Sequence, residues 1–144
     1  MSDYEMQQFI RLFEEMLNKF DMSIADDIFS SNFKAHFPLM PQLDRSGFKS
    51  YMMGFYDAFP NLMMNIEDWI PTKDRLVLRM IYSGKQKGDF MGIPASGRAI
   101  KLPAICIFRI ENGKAVENWT EMDFLGAISQ ISGGGSSLPD GGCD

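Results

Sequence analysis

Polar residues that could catalyse a proton transfer lie near the end of the chain. Arg109 falls in one predicted strand, and Trp119, Glu121 and Asp123 alternate along the next. A carboxylate on a partly buried, apolar-walled face has a raised pKa and can act as a general acid or base near neutral pH. A neighbouring arginine lowers that pKa again. The pattern therefore fits either an acid–base site that uses Asp123 or Glu121, or a solvated strand with scattered ion pairs.

The single histidine of the chain, His36, is a second candidate. Its neighbours Phe33, Phe37 and Pro38 predict a partly buried position. A histidine in such a place is either a hydrogen-bonded structural residue or a proton-transfer group. One histidine cannot build a multi-histidine metal site, and the sequence contains no cysteine–histidine cluster, phosphate-binding glycine loop or nucleophile elbow. We therefore expect a site without a metal.

Composition and charge argue against several classes of protein. The chain has 144 residues and an apolar fraction of 45%, which suit one domain with one core. A net charge of −5 argues against a nucleic-acid partner, and no apolar run is long enough to span a membrane. The acidic N-terminus does not resemble a secretory signal, and Cys106 and Cys143 lack metal-ligand or convincing disulfide spacing. We expect a cytoplasmic protein with reduced thiols.

Three helices are predicted to position the candidate residues. The first begins at Ser2, where Glu5 completes a capping-box pattern before an apolar stripe of helical spacing. The second is short and begins at Ser23. The third runs from about residue 46 to residue 59 and ends at Pro60.

Strands are predicted over residues 33–38, 62–67, 75–83, 100–110 and 115–124, with a helical turn over residues 125–131. The strand at 75–83 is apolar on both faces with Arg79 as the polar exception, which predicts that both faces are otherwise largely covered. Because helices precede a meander of four antiparallel strands, we expect an α+β fold. Residues 133–144 have the composition of a flexible Gly/Ser-rich tail, so the predicted domain is residues 1–132.

The Asn112-Gly113 turn decides which side chains share a face. A two-residue turn would pair Glu111 with Lys114, whereas a three-residue loop with Gly113 in the left-handed region would pair Ile110 with Lys114. This difference of one residue reverses the faces. We prefer the three-residue loop, because it groups a mostly apolar face: Cys106, Phe108, Ile110, Val116, Met122 and Phe124. The opposite face then holds the polar residues Arg109, Trp119, Glu121 and Asp123.

Several runs together resemble a known family. Residues 88–98, GDFMGIPASGR, resemble the G-x-F-x-G-I-P-P-T-G-(K/R) signature of the SnoaL-like polyketide cyclases. Residues 107–114 and 119–123 resemble that family's I-F-R-I-x-D/N-G-K hairpin and W-x-E-x-D strand. Residues 36–38 and 58–61 are similar to its H-x-P and A-F-P-D elements. The matches follow the family order, with two departures: Gln86 replaces a histidine of many members, and Ala95 replaces the second proline.

The resemblance implies a cone of the nuclear-transport-factor-2 type (a cystatin-like α+β roll), in which helices and a curved sheet enclose an apolar pocket. It also implies an intramolecular aldol condensation of a polyketide ester, without metal or cofactor. The family's acid–base carboxylate falls on Asp123, and we nominate Arg109 and His36 to stabilise the enolate oxygen. The residues nominated to bind substrate are Trp119, Glu121, Phe55, Phe90, Ile105, Ile107 and Gln86.

Three functions remain open. The first is a cofactor-independent cyclase or isomerase-type acid–base catalyst for a small apolar carbonyl compound. The second is a non-catalytic binding protein for a hydrophobic small molecule. The third is a subunit that associates, as a homodimer or higher oligomer, through an outer sheet face carrying Cys106, Phe108, Val116 and Met122. A buried Asp123 beside His36 or Arg109 would favour catalysis, and a solvent-facing Asp123 would favour binding.

Overall fold

The structure of the protein is a computed structural model that describes residues 2–133. The elements in chain order are α1 (Asp3–Asn18), a short 3-10 helix (Met22–Ile24), α2 (Ala25–Ile28), β1 (Phe29–His36), α3 (Arg45–Ala58), β2 (Met63–Pro71), β3 (Arg75–Lys85), β4 (Ala99–Glu111), β5 (Lys114–Met122) and α4 (Phe124–Ile131). The predicted tail lies outside the described residues, except for Gly133. Among the described helices, none has the length and apolar character needed to cross a membrane.

Polar caps begin the longer helices. The predicted capping box forms, since the Ser2 hydroxyl accepts from the Glu5 N–H at 3.1 Å and the Glu5 carboxylate accepts from the Ser2 N–H at 3.2 Å. Asp44 caps α3 by accepting from the Gly47 N–H at 2.7 Å. The second predicted helix is only a 3-10 turn and one α-helical turn, because the chain enters β1 at Phe29.

One five-stranded sheet has the order β1-β5-β4-β3-β2. The predicted antiparallel meander of β2 to β5 is confirmed. β1 pairs parallel with β5, which places His36 opposite Trp119. It begins at Phe29 rather than Phe33 and ends before Pro38, which cannot donate to the ladder. The chain is therefore α+β, as predicted.

The preferred three-residue loop between β4 and β5 is wrong. Glu111 pairs with Lys114 across a two-residue turn whose central residues, Asn112 and Gly113, have φ angles of 52° and 79°. Asn-Gly suits this turn because both positions need a positive φ. A bulge follows, since Ile110 pairs with Ala115 whereas Arg109 pairs with Glu117. The extra residue, Val116, reverses the in–out alternation of side chains along β5. Beyond the bulge, Arg109, Trp119 and Glu121 therefore share one face of the sheet, as predicted.

The helices cover one face of the sheet, which we call the inner face. It contributes a buried apolar layer: Leu76, Leu78, Met80, Tyr82, Leu102, Ala104, Cys106 and Phe108. Phe108 packs edge-on against Phe9 and Phe13 of α1, with ring centroids 5.0 and 5.1 Å apart. Cys106 and Phe108 are each 1% exposed, so the prediction that they form an outer association surface is wrong.

The opposite, outer face of the sheet is only partly covered. In β3, Val77 and Ile81 are half-buried on this face and Arg79 is exposed. The expectation that both faces of this strand are covered therefore holds for the inner face only.

Candidate functional site

Asp123, the candidate base, lies between β5 and α4. Its carboxylate accepts a hydrogen bond from the Gly126 N–H at 2.9 Å and so caps α4. The Asp123 N–H donates to the Pro103 carbonyl at 3.1 Å, which holds this junction against β4. The residue is exposed. Asp123 therefore faces solvent, the arrangement that the sequence argument associated with binding rather than catalysis.

His36 and Arg109 lie together, but they meet at Glu117 rather than at Asp123. The His36 Nε2 is 2.7 Å from the Glu117 Oε2, and because an ionised carboxylate only accepts, this nitrogen is the donor. The Arg109 guanidinium donates to the Glu117 Oε1 at 3.2 Å and also pairs with Glu111. The hydrogen bond from His36, followed by that from Arg109, lowers the pKa of Glu117.

Four predicted site residues lie on the outer face. In cross-strand pairs, Ile107 lies opposite Trp119 and Ile105 lies opposite Glu121. Trp119 stacks on the His36 ring with centroids 5.6 Å apart, and the Arg75 guanidinium carbon lies 5.6 Å from the indole centroid. The face is open, since Ile105 is 52% exposed.

A groove of about 450 Å³ crosses this face and includes Arg79, Ile105, Glu121 and Asp123 in its lining. Arg79 is paired with Asp68 at 3.4 Å. The groove therefore brings Asp123 and Glu121 together on the exposed side of the sheet. His36 and Arg109 do not line it.

A different cavity, which we call the aromatic pocket, has a volume of about 340 Å³. α3, the loop after β1, the loop after β3 and the start of α4 form its walls. Its lining residues are Pro38, Leu39, Met40, Ser50, Tyr51, Gly54, Phe55, Asp89, Phe90, Met91 and Phe124. Of the predicted substrate-binding residues, Phe55 and Phe90 are here.

Aromatic rings hold the pocket wall together. Phe55 contacts Tyr51, Phe90 and Phe124 at centroid distances of 5.3, 5.7 and 6.2 Å. Gly54 directly precedes Phe55 in α3 and also lines the pocket. It has open space beside it, since an added Cβ would meet no atom within 4 Å. The wall is thus a fixed aromatic cluster next to an unfilled volume.

The loop that carries Asp89 and Phe90 is ordered by Gln86. This side chain is fully buried; its amide nitrogen donates to the Gly88 and Ile93 carbonyls at 3.1 and 2.9 Å, and its oxygen accepts from the Ser96 N–H at 3.1 Å. Gln86 therefore shapes the pocket wall rather than lining it, which differs from its predicted substrate-binding role.

Sequence reasoning did not nominate two polar residues of the pocket. Burial raises the pKa of Tyr51 to about 12, so its hydroxyl remains protonated and can donate a hydrogen bond. Asp89 is exposed at the pocket, and within residues 2–133 its side chain has no ion pair or hydrogen bond. Asp89 lies within residues 88–98, the run that resembles the family signature. Its position in that run could have identified it as a candidate pocket residue. Tyr51 falls within the predicted third helix, where its local sequence does not mark it as a pocket residue.

No group of three or more histidine, cysteine, aspartate or glutamate residues is arranged to hold a metal within residues 2–133. Cys106 is a buried free thiol, and burial raises its pKa to about 12. Cys143 lies outside the described residues.

Comparison with known proteins gives a consistent assignment. The family profile described as SnoaL-like polyketide cyclase matches residues 7–131. TsrD from Streptomyces laurentii is 29% identical, with a TM-score of 0.83 over 91% of this chain and 97% of that chain. No curated protein sequence matches the chain.

Two further solved structures share the fold. IdmH from Streptomyces antibioticus, a proposed polyketide cyclase, is 23% identical with a TM-score of 0.79, over 88% of this chain and 97% of that chain. AclR from Streptomyces galilaeus, a proposed hydroxylase, is 23% identical with a TM-score of 0.77, over 93% of this chain and 99% of that chain. These likenesses confirm the predicted cone-like α+β fold.

Proposed function

The chain belongs to the SnoaL-like polyketide cyclase family, and from this premise we propose that it is a cofactor-independent acid–base enzyme acting on a small apolar carbonyl compound. The observation that carries the proposal is the aromatic pocket. Its volume of about 340 Å³ and mostly apolar lining with a few polar groups are typical of small-molecule sites. The proposed reaction is an intramolecular aldol condensation or a related proton transfer.

The proposed chemistry needs two groups from the protein. A base removes a proton from the carbon next to a carbonyl, and the enolate carbon then attacks a second carbonyl of the same molecule. The resulting alkoxide takes up a proton, which balances the step. A hydrogen-bond donor placed at the enolate oxygen lowers the barrier. Tyr51 supports this role, because it lines the pocket and stays protonated.

Asp123 remains our proposed base, on the strength of the family motif. It directly precedes Phe124, which lines the pocket, and its carboxylate caps α4 by accepting from the Gly126 N–H. The predicted roles of His36 and Arg109 at the enolate oxygen remain predictions, and their engagement with Glu117 makes Tyr51 the better-placed donor.

Asp123→Asn is the direct test of this assignment. Asparagine is as good a helix N-cap as aspartate, so the variant should keep α4 intact while removing the proton acceptor. With a linear poly-β-ketone ester as substrate, we expect kcat to fall by about 10²-fold or more. Tyr51→Phe should lower kcat by a smaller factor. Unchanged turnover by Asp123→Asn would remove Asp123 as the base.

A second candidate function is a non-catalytic binding protein for a hydrophobic small molecule. The specific observation that favours it is the exposed, helix-capping position of Asp123. Mass spectrometry of ligands recovered after incubation distinguishes the two functions. A binding protein would take up apolar ketones in the aromatic pocket and release them chemically unchanged at any protein concentration.

We also propose that the protein forms a homodimer through the outer face. Ile105, Ile107 and Trp119 are 52%, 37% and 36% exposed there, and they replace the buried Cys106 and Phe108 that were nominated from the sequence. Sedimentation equilibrium of the wild type and of Ile105→Lys would test it, since the charge should yield a monomer. A cytoplasmic location is likewise proposed, and the buried free thiol of Cys106 suits a reducing compartment.

A further inference from the structure

Charge is distributed unevenly around the aromatic pocket. Within residues 2–133, Asp89 is the one acidic residue that lines the cavity, and the Tyr51 hydroxyl keeps its proton. No lysine, arginine or histidine of these residues lines it. The whole chain carries a net charge of −5 as well. A ligand carboxylate would therefore meet a negative charge without a cation to neutralise it.

Asp89 differs in its partners from several acidic residues elsewhere in the fold. Glu117 is bound by His36 and Arg109, and Asp26 is bound by Lys49 at 2.8 Å. Asp44 and Asp123 are engaged as helix caps. The Asp89 carboxylate has no such partner within residues 2–133, so it remains available to a ligand.

The walls beside Asp89 also favour positive charge. Phe90 follows Asp89 directly, and Phe55 lies 5.7 Å from Phe90 between ring centroids. Aromatic rings attract cations through the negative potential of their faces. Met40 and Met91, which also line the pocket, add polarizable thioethers suited to an apolar body of variable shape.

We infer that the aromatic pocket selects an apolar ligand bearing a protonated amine, with the ammonium group at Asp89 and the apolar body against Phe55 and Phe90. The inference rests on the proposed function, because it names the substrate class of the same pocket. An amine-bearing carbonyl compound is favoured over a free carboxylic acid. The Tyr51 hydroxyl is left to face a neutral oxygen of the ligand.

Three probes of one shape test the inference: naphthalene-2-methylamine, naphthalene-2-methanol and naphthalene-2-carboxylate. Titration calorimetry should give an amine affinity about tenfold higher than that of the alcohol, from an exposed ion pair and cation–π contact together. The carboxylate should bind most weakly. The preference for the amine should shrink as salt is raised, because Asp89 is exposed to solvent.

Two variants of equal charge change locate the effect. Asp89→Asn should abolish the preference for the amine while leaving the alcohol affinity unchanged. Asp74→Asn, in the exposed turn between β2 and β3, should keep the preference. An equal affinity of the wild type for amine and alcohol, or a preference that survives Asp89→Asn, would overturn the inference and leave the proposed function standing.

Gly54→Leu separates failure of the inference from failure of the pocket. The new side chain would extend from α3 into open space beside Phe55 and should weaken binding of amine and alcohol alike. If the wild type bound none of the probes, or if Gly54→Leu bound them normally, the pocket would not be the ligand site. Both the inference and the pocket-based proposed function would then fall.

Discussion

Glu117 and His36 join two strands that are distant in sequence. The His36 Nε2 lies 2.7 Å from the Glu117 Oε2, across the parallel pairing of β1 with β5. The Arg109 guanidinium reaches the same carboxylate from β4 at 3.2 Å. One half-buried carboxylate thus links three neighbouring strands on the outer face of the sheet.

The first prediction concerns the stability that this carboxylate contributes. The pKa of Glu117 is lowered in the folded protein by its hydrogen bonds to His36 and Arg109. A group with a lowered pKa stabilises the fold above its unfolded pKa, near 4.3, and loses that contribution as the pH falls through the folded pKa. Glu117→Gln should therefore cost about 1 kcal/mol at pH 7, and the cost should vanish in acid.

Urea denaturation of the wild type and Glu117→Gln between pH 3 and pH 7 measures this difference. Glu121→Gln is the matched control, since Glu121 lies in the same strand and on the same face but is exposed. The free energy of unfolding of Glu121→Gln should stay close to that of the wild type over the whole pH range. If the loss of unfolding free energy in Glu117→Gln grew as the pH fell below 4.5, the Glu117 carboxylate would not stabilise the fold in the way proposed.

The second prediction separates the capping role of Asp123 from any catalytic role. Asp123→Ala removes the acceptor for the Gly126 N–H and should lower the free energy of unfolding by about 1 kcal/mol. Asp123→Asn should leave it almost unchanged. Thermal unfolding, monitored by circular dichroism, compares the stability of the two variants. Equal losses of stability would show that a hydrogen-bond acceptor for the Gly126 N–H does not stabilise the fold.

The third prediction concerns Gln86, which organises the loop beneath the pocket. Gln86→Leu leaves the Gly88 and Ile93 carbonyls without this buried donor and should cost about 2–3 kcal/mol. It should also weaken ligand binding, because Phe90 and Asp89 lie in that loop. Gln130→Leu is the control: Gln130 bonds the Lys101 backbone at 2.7 and 3.0 Å, but at an exposed edge where water can replace it. Equal costs for the two variants would contradict the importance of burial.

The fourth prediction concerns the reactivity of Cys106. Burial raises the pKa of this thiol to about 12, so almost no thiolate exists at pH 8. In a Cys143→Ser variant, iodoacetamide should leave the native protein unmodified and label Cys106 only in denaturant. Mass spectrometry gives the extent of labelling. Rapid native-state labelling would show that the inner sheet face is open to solvent.

Local patterns in the chain predicted much of the secondary structure. The capping box at Ser2 and the helix before Pro60 each depend on a few neighbouring residues, and both form. A turn also forms at Asn112-Gly113, but as the two-residue type rather than the preferred three-residue loop. Helical and alternating apolar spacing separated helices from strands, which was enough for the α+β class. The family motifs, also local, led to the correct family.

Long-range pairing decided what these patterns left open. The bulge at Val116 and the parallel docking of β1 turn Glu117 towards His36 and Arg109, and no local preference specifies either feature. The candidate site residues show the same division. The family motif nominated Asp123, whereas the exposure of Asp123 at the start of α4 depends on where β5 ends. Packing of α3 against two loops creates the aromatic pocket, because residues far apart in sequence become neighbours only when helices and loops close over the inner sheet face.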